Sequence, residues 1–441
     1  MIKTKLPVIV LRNLVLLPHG EIKLEISNAD DKNIIDKTRL LCRKIKDENV
    51  IDTKDDLNQE LIRLGILSGV RELECSTEYL SAPLEYYFDF TSKCNLKCTH
   101  CYNKEHICND TIPNNKIENI IKDMYDNGIM RIHLAGGEPT MVPEGLETYM
   151  KTAKKYGITS SMSSNGVVLT DEVMNIMFNN DLFSITVSLE GPDEESNSKI
   201  RGKENFDKAI SNIKKLVDRK KALCSNTLVC LKMSYDTNIS KGDLRKMIEL
   251  ALSLGVNVLK FSNPERCIFH SKGFYSSGYD NYYKVNNYVM ELKEEYKNEN
   301  IYISNIANPI NNCGQIGLPN MRGCIGAQEL IAINPDGRIS PCLMNQINLG
   351  NIYDYDSIVD FWNNNDKIKE YRKTISNYDC NTCKSHKACR GGCQVRKYVE
   401  YGEIIGRDPL CPMKQNIKIS DNKHKGDKFK NFSEIKVLHS L

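Results

Sequence analysis

The chain switches between two kinds of hydrophobic spacing, and the switches outline its organisation. Residues 21–27 alternate strictly, with Ile22, Leu24 and Ile26 on one face and Glu21, Lys23 and Glu25 on the other, which predicts a half-buried strand. Residues 31–46 repeat apolar positions at helical spacing, among them Ile34, Ile35, Leu41 and Ile45, and a second short helix is predicted over 54–64, ended by Gly65. From residue 84 a strand–helix rhythm takes over. Runs at 84–90, 131–135, 158–163, 183–189, 228–235 and 256–262 predict six strands, and amphipathic stretches such as 116–126, 204–218 and 241–254 predict helices between them. Asp171 is expected to cap another helix. Strands separated by helices imply an α/β fold with a parallel sheet. Six units fit a partial (β/α)6 TIM-like barrel, with chemistry on the loops at the strand C-terminal ends. Beyond about residue 308 the rhythm stops: 329–334 and 338–341 read as a hairpin around Asp336-Gly337, a helix follows near 356–362, and cysteines dominate up to Cys411. The expected organisation is an α+β module at 1–82, the barrel at 83–307, a cysteine-rich domain at 308–420 and a flexible basic tail at 421–441.

Charge and composition narrow the partners. With 60 basic against 57 acidic residues in 441, the net charge of +3 gives no reason to expect nucleic acid. No window is long and apolar enough to cross a membrane. The apolar run 6–17 is broken by Pro7, Arg12 and Asn13 and lacks a small-residue cleavage site, so it does not read as a signal peptide. Seventeen cysteines without an export signal point to metal ligation rather than disulfides, and to a reducing cytoplasm.

The most informative of those cysteines are Cys94, Cys98 and Cys101, spaced Cys-x3-Cys-x2-Cys on the loop after the first barrel strand. Three thiolates there can hold three corners of an iron–sulfur cube and leave one iron open. A zinc site is the alternative, but it wants a fourth ligand, and His100 lies too close to Cys98 and Cys101 to complete a relaxed tetrahedron. Gly136-Gly137-Glu138-Pro139 follows the second strand. Its glycines admit a ligand to the backbone, and Glu138 can accept from an ammonium.

Together these motifs resemble the radical S-adenosylmethionine (SAM) family. The resemblance implies that the open iron chelates SAM and that an electron from the cluster splits it to a 5′-deoxyadenosyl radical. It assigns Gly136, Gly137 and Glu138 to the SAM amino group. Ser188, within Ser188-Leu189-Glu190-Gly191-Pro192, and Arg201 are assigned to the SAM carboxylate, with Glu190 standing where the family commonly has Asp. Asn165 takes the place beside the ribose or is simply a turn residue. His100 takes the place against adenine or is a solvent-facing loop residue.

The spacing Cys324-x12-Gly337-x4-Cys342, then Cys380-x2-Cys383-x5-Cys389-x3-Cys393-x17-Cys411, resembles the seven-cysteine SPASM domain. A pair of zinc ribbons is the other reading. The SPASM resemblance implies two auxiliary clusters. Cys380, Cys383, Cys389 and Cys411 would hold the outer one, and Cys324, Cys342 and Cys393 the inner one, with Cys313 as its fourth ligand unless that iron is open. Three 4Fe–4S clusters and SAM are therefore expected, with a flavodoxin- or ferredoxin-type electron donor.

SPASM enzymes mostly modify peptides or proteins. The implied function is maturation of a ribosomally made precursor peptide, forming a thioether or carbon–carbon crosslink. Epimerisation, modification of a larger protein, and a non-catalytic iron–sulfur redox sensor are the alternatives. Leu343 after Cys342, where the anaerobic sulfatase maturase has Asp, argues against formylglycine chemistry. The N-terminal module stands where such maturases carry a leader-peptide recognition domain, and residues 21–27 are the expected edge for adding the leader as a strand. Residues 11–19 also resemble the opening of a Lon protease substrate-binding domain, and a cap that merely packs on the barrel is the plain alternative.

Overall fold

The computed structural model describes residues 8–11, 14–17, 20–23 and 70–72, and then 82–103, 110–235, 238–262, 279–305, 324–376 and 391–411, apart from positions 84, 128, 130, 329, 346, 402 and 410. The helices expected at 31–46 and 54–64, the tail at 421–441, and Cys313, Cys380, Cys383 and Cys389 lie outside the described residues.

In the N-terminal region β1 (Val8–Leu11), β2 (Leu14–Leu17) and β3 (Gly20–Lys23) form antiparallel neighbours, and β4 (Val70–Glu72) pairs parallel with β1. The sheet order β3-β2-β1-β4 puts β3 at an edge. The apolar run at 6–17 thus supplies two strands that the alternation at 21–27 did not announce, because continuous apolar runs carry no period to read.

The six expected strands are β5 (Glu85–Phe88), β6 (Arg131–Leu134), β7 (Thr159–Ser164), β8 (Ser184–Ser188), β9 (Leu228–Ser234) and β10 (Val258–Ser262), each parallel to its neighbour. A seventh, β11 (Tyr302–Asn305), joins parallel beside β10. At the other edge β12 (Leu330–Ile333) pairs parallel with β5, and β13 (Arg338–Ser340) and β14 (Gly350–Asn351) follow antiparallel. The predicted hairpin therefore extends the barrel sheet, and one ten-stranded sheet crosses residue 308.

Helices form where sequence periodicity and caps agree. In α1 (Asn114–Asp126), Ile117, Ile120, Ile121 and Met124 are buried at spacings of three and four. In α2 (Pro143–Lys155), Leu146, Tyr149, Met150 and Ala153 do the same. The cap of α3 (Asp171–Asn179) is Thr170, whose side chain accepts from the Val173 amide; Asp171 is instead the first helical residue. The segment before Gly202 forms an additional helix, α4 (Glu194–Arg201), opened by an Asp193–Ser196 capping box and carrying Arg201 on its last turn. Next come α5 (Phe206–Ala222) and α6 (Lys241–Leu254); Ser240 caps the start of α6, and left-handed Gly255 ends it. Finally α7 (Tyr279–Glu295) precedes β11.

One face of the parallel sheet, with Phe88, Ile132, Met162, Val187, Leu231 and Phe261, joins the helix side chains in one apolar core. Each such fully buried side chain contributes about 1.5–3 kcal/mol. The opposite, concave face is polar. In the C-terminal unit, α8 (Ile358–Asn364) buries Trp362. Arg372 of α9 (Asp366–Ser376) lies 4.1 Å from the Trp362 ring centroid and donates to the Ala327 and Trp362 carbonyls at 2.7 Å each. The last described helix is α10 (Gln394–Tyr401).

Candidate functional site

The loops that follow β5 and β6 at their C-terminal ends interlock through the backbone. The Gly137 amide donates to the Thr91 carbonyl at 3.0 Å and the Glu138 amide to the Lys93 carbonyl at 2.7 Å. A Cβ on Gly137 would lie 2.2 Å from the Lys93 oxygen, and one on Gly136, at φ +102, would lie 2.8 Å from the Thr91 oxygen. The paired glycines are thus required by the close approach of the cysteine loop. The Tyr102 hydroxyl accepts from the Gly136 amide at 3.0 Å, which ties down the far end of that loop. Beneath it, Asp89 accepts from the Asn103 side chain at 3.3 Å, and burial pushes its carboxyl up to about 7.

Glu138 is buried, and its carboxylate is closely engaged by the protein. One oxygen accepts from the Thr140 hydroxyl (2.7 Å), the Thr140 amide (3.3 Å) and the Ser164 hydroxyl (2.9 Å). The other accepts from the Asn165 amide at 2.7 Å. Glu138 therefore binds the ends of β6 and β7 together. The Asn165 side chain accepts from the Val167 amide at 2.9 Å, as a turn residue does, and donates to Asn95 of the cysteine loop at 2.8 Å.

Arg201 is buried beside the loop. Its Nη2 and Nε donate to Glu190 Oε1 at 2.7 and 3.2 Å, and its Nη1 points at the Cys98 sulfur at 3.9 Å. The other Glu190 oxygen accepts from the Ser234 amide of β9 at 2.7 Å. The His100 ring lies with Nε2 3.2 Å from Glu190 Oε1. Burial alone would raise the Glu190 carboxyl, but the Arg201 charge and the His100 contacts outweigh it and hold it at about 2. The Thr99 amide donates to the Ile200 carbonyl at 3.0 Å, fastening the loop to α4. Ser188, the other residue assigned to the SAM carboxylate, stands at the end of β8 opposite Lys232.

Cys94, Cys98 and Cys101 are partly exposed. The Leu96 amide donates to the Cys94 sulfur at 3.5 Å, as Arg201 does toward Cys98. Burial pushes the Cys94 and Cys98 thiols up, while Arg201 opposes this at both. Sulfur donors with N–H groups directed at them suit a thiolate-bound iron–sulfur cluster. Among the described residues no three His, Cys, Asp or Glu side chains converge on a single metal ion. A cube asks for sulfurs spread over separate irons, not for convergence on one.

In the C-terminal unit, Cys324 is buried and Cys342, Cys393 and Cys411 are partly exposed. The Asn345 amide donates to the Cys342 sulfur at 3.3 Å. Asp408 joins the other two: its side chain accepts from the Cys393 amide at 2.8 Å and its carbonyl from the Cys411 amide at 2.8 Å. Arg396 holds that carboxylate with Nη2 at 2.6 Å and Nε at 2.9 Å.

The concave face of the sheet carries residues that no sequence motif marks. The His133 ring nitrogens lie 2.7 Å from the Ser161 hydroxyl and 2.8 Å from that of Ser163, and its ring meets Tyr87 edge-on at 5.3 Å. Burial, then the charges of Lys260 and Lys232, push His133 down to about 3, so it is neutral at physiological pH. The available signal was the alternation in β7–β10, since parallel strands buried on both faces read as continuous apolar runs.

Residues 88–263 match the radical SAM superfamily, and residues 324–390 match an iron–sulfur cluster-binding domain, SPASM. The mycofactocin maturase MftC of Mycobacterium tuberculosis is 24% identical over 340 residues, covering 75% of this chain and 83% of that protein. An AdoMet-dependent heme synthase of Nitratidesulfovibrio vulgaris is 25% identical over 353 residues, covering 74% of this chain and 91% of that protein. The fold overlays on Streptococcus suis SuiB bound to its precursor peptide SuiA with a TM-score of 0.69 at 17% identity, covering 93% of this chain and all of SuiB.

Proposed function

We propose, from the premise that this chain belongs to the radical SAM superfamily and carries a C-terminal SPASM domain, that it matures a ribosomally made precursor peptide. The enzyme uses iron–sulfur and SAM cofactors, which when bound supply a 5′-deoxyadenosyl radical for hydrogen abstraction. The observation that carries the reading is the interlock of the cysteine loop, the Gly136-Gly137 turn and Arg201 at the mouth of a polar concave face. A redox scaffold has no use for a buried arginine aimed at a cluster-loop sulfur beside such a face. Cys94, Cys98 and Cys101 hold the SAM-binding cluster, and Gly136, Gly137, Glu138, Ser188 and Arg201 shape the SAM subsite. Because the Glu138 carboxylate is engaged within the protein, its part is to set the turn, leaving the Gly136-Gly137 backbone to meet the SAM amino group. In the same way Glu190 and His100 orient Arg201 toward the loop.

The cysteines of the SPASM domain hold two further clusters, bringing the total to three. An external flavodoxin- or ferredoxin-type protein supplies the electron in a reducing cytoplasm. The leader of the precursor adds as a strand to β3, one end of the described N-terminal sheet order. The precursor peptide named in the SuiB–SuiA complex supports this substrate class.

The test is anaerobic co-expression with each short open reading frame beside the gene, followed by peptide mass spectrometry. Loss of two hydrogens, with a crosslink located by fragmentation, is the expected result. An unchanged mass with deuterium uptake at one α-carbon in heavy water would establish epimerisation instead. A peptide untouched in both would sink the precursor-maturase reading.

A further inference from the structure

Asp89 follows β5 at the C-terminal end of the barrel sheet, and its side chain is wholly buried. Its amide donates to the Ile333 carbonyl of β12 at 2.9 Å, which anchors it between the first barrel strand and the strand beside it. One carboxylate oxygen accepts from the Asn103 side chain at 3.3 Å, and the Tyr102 side chain also hydrogen-bonds the group. The other oxygen, Oδ1, is buried without a hydrogen-bond partner among the described residues. A buried carboxylate with one oxygen left open costs stability, and a neutral side chain of the same shape costs less. Packing therefore gives no reason for an acid here, and the turn above it does. A Cβ on Gly136 would lie 2.9 Å from the Asp89 Cβ and 3.0 Å from its Cγ, so the carboxylate sits directly against the Gly136-Gly137 turn. The Gly136 amide donates to the Tyr102 hydroxyl at 3.0 Å, and an ionised carboxylate can only accept, so that hydroxyl turns its proton to Asp89. The Gly137 amide is spent on Thr91 and the Glu138 amide on Lys93. With all three amide donors engaged inside the protein, what the turn offers a ligand is carbonyl oxygen, which suits an ammonium. Glu138 is the second buried acid at this turn, and burial raises both carboxyls, so each gains from a cation brought near. The guanidinium within range of Glu138, that of Arg201, is already held by Glu190.

We propose that Asp89 is a positioning residue of the SAM subsite: through Tyr102 it fixes the Gly136 peptide so that the carbonyls of the turn receive the SAM ammonium, and its charge favours that cation. The inference rests on the reading that Gly136 and Gly137 meet the SAM amino group, and it adds the side chain that orients them. Glu138 ties the far side of the turn to β7, while Asp89 ties the near side to β5 and the end of the cysteine loop. The link runs in series, from the Gly136 amide to the Tyr102 hydroxyl to Asp89, so loss of the hydroxyl and loss of the charge break the same chain. An acid kept only for packing has the opposite signature: its removal lowers stability and leaves the ligand bound.

The test uses the reconstituted holoenzyme and the variants Asp89→Asn, Tyr102→Phe and the two combined, with SAM itself as the probe in anaerobic equilibrium dialysis. Each single variant is expected to bind SAM about tenfold more weakly, and the combined variant also about tenfold rather than about a hundredfold, because the two groups act in series. Hydrogen exchange in the SAM-free holoenzyme should show the peptide carrying the Gly136 amide exchanging faster in all three. Asp89→Asn should unfold at or above the parent temperature, since it removes a buried charge, and should hold as much iron. Parent-like SAM affinity in Asp89→Asn overturns the proposal, as does an additive loss in the combined variant. A lowered unfolding temperature together with lost iron also overturns it, because the acid would then serve the loop's structure. A parent protein that binds SAM but modifies no peptide, with the expected loss in the variants, keeps this role and sinks the maturase reading. A modified peptide with parent-like SAM affinity in the variants does the reverse. A cluster-loaded parent that binds no SAM sinks both.

Discussion

Two cysteine-bearing regions of this protein are each organised around a buried carboxylate–guanidinium pair, and the pairs are built differently. At the barrel mouth, Arg201 uses two of its nitrogens on a single oxygen of Glu190 and turns the third toward the Cys98 sulfur. Glu190 spends its second oxygen on β9, so the pair links a helix end, the cysteine loop and a strand. In the C-terminal unit, Arg396 grips both oxygens of Asp408, and the same carboxylate holds the Cys393 amide. Through its side chain and its carbonyl, Asp408 holds the Cys393 and Cys411 amides. Both pairs meet the desolvation cost of a buried ion pair by satisfying further hydrogen bonds. In one region the guanidinium keeps a nitrogen directed at a loop cysteine, and in the other the carboxylate fastens a cysteine's backbone.

The largest effect that would break the comparison is removal of the first loop's ligands. Replacing Cys94, Cys98 and Cys101 together with Ala should eliminate 5′-deoxyadenosine release and lower bound iron, while iron held by the C-terminal unit stays. Retained cleavage would remove the cluster assignment. Next, Asp408→Asn leaves the Arg396 charge buried without its partner. It should cost about 3–5 kcal/mol of stability, seen as earlier thermal unfolding, and release iron from the C-terminal unit. Peptide-independent SAM cleavage should survive in that variant; its loss would mean that the second pair also serves the first site.

Smaller effects sharpen the contrast. Gly137→Ala forces the cysteine loop away from the turn and should cost about 1–3 kcal/mol, read by denaturant midpoint alongside iron content. A wild-type midpoint would mean that the interlock yields freely. Glu190→Gln keeps the shape around Arg201 but removes the balancing charge. SAM affinity is expected to fall about tenfold, with a changed electron paramagnetic resonance signal from the reduced SAM-bound protein, while the C-terminal unit is untouched. Equal SAM affinity would make Glu190 a packing residue.

Much of the barrel was legible because each strand and helix declares itself over a few neighbouring residues. Ile117, Ile120, Ile121 and Met124 mark one helix, and the three-cysteine loop is complete within eight positions. The six strands stand where their apolar runs predicted them. Long-range consequences were not legible. The cysteine-rich context of β12 suggests a separate domain, yet this strand pairs with the first barrel strand. Glu190 registered as a departure from the usual Asp, without any sign that its longer side chain reaches both Arg201 and His100. Asp408 and Arg396 sit among the cysteines as ordinary charges until the fold buries them.

The sequence by itself determined the order of elements, the loops that carry thiols and the glycines that permit close approach, because spacing and local backbone freedom are properties of short segments. The tertiary structure alone decided that Lys232 and Lys260 share one register level, that Glu138 turns inward, and that two strands far apart in the chain complete one sheet. Strand register and the pairing of buried charges depend on which distant surfaces leave water together, and no local pattern specifies that.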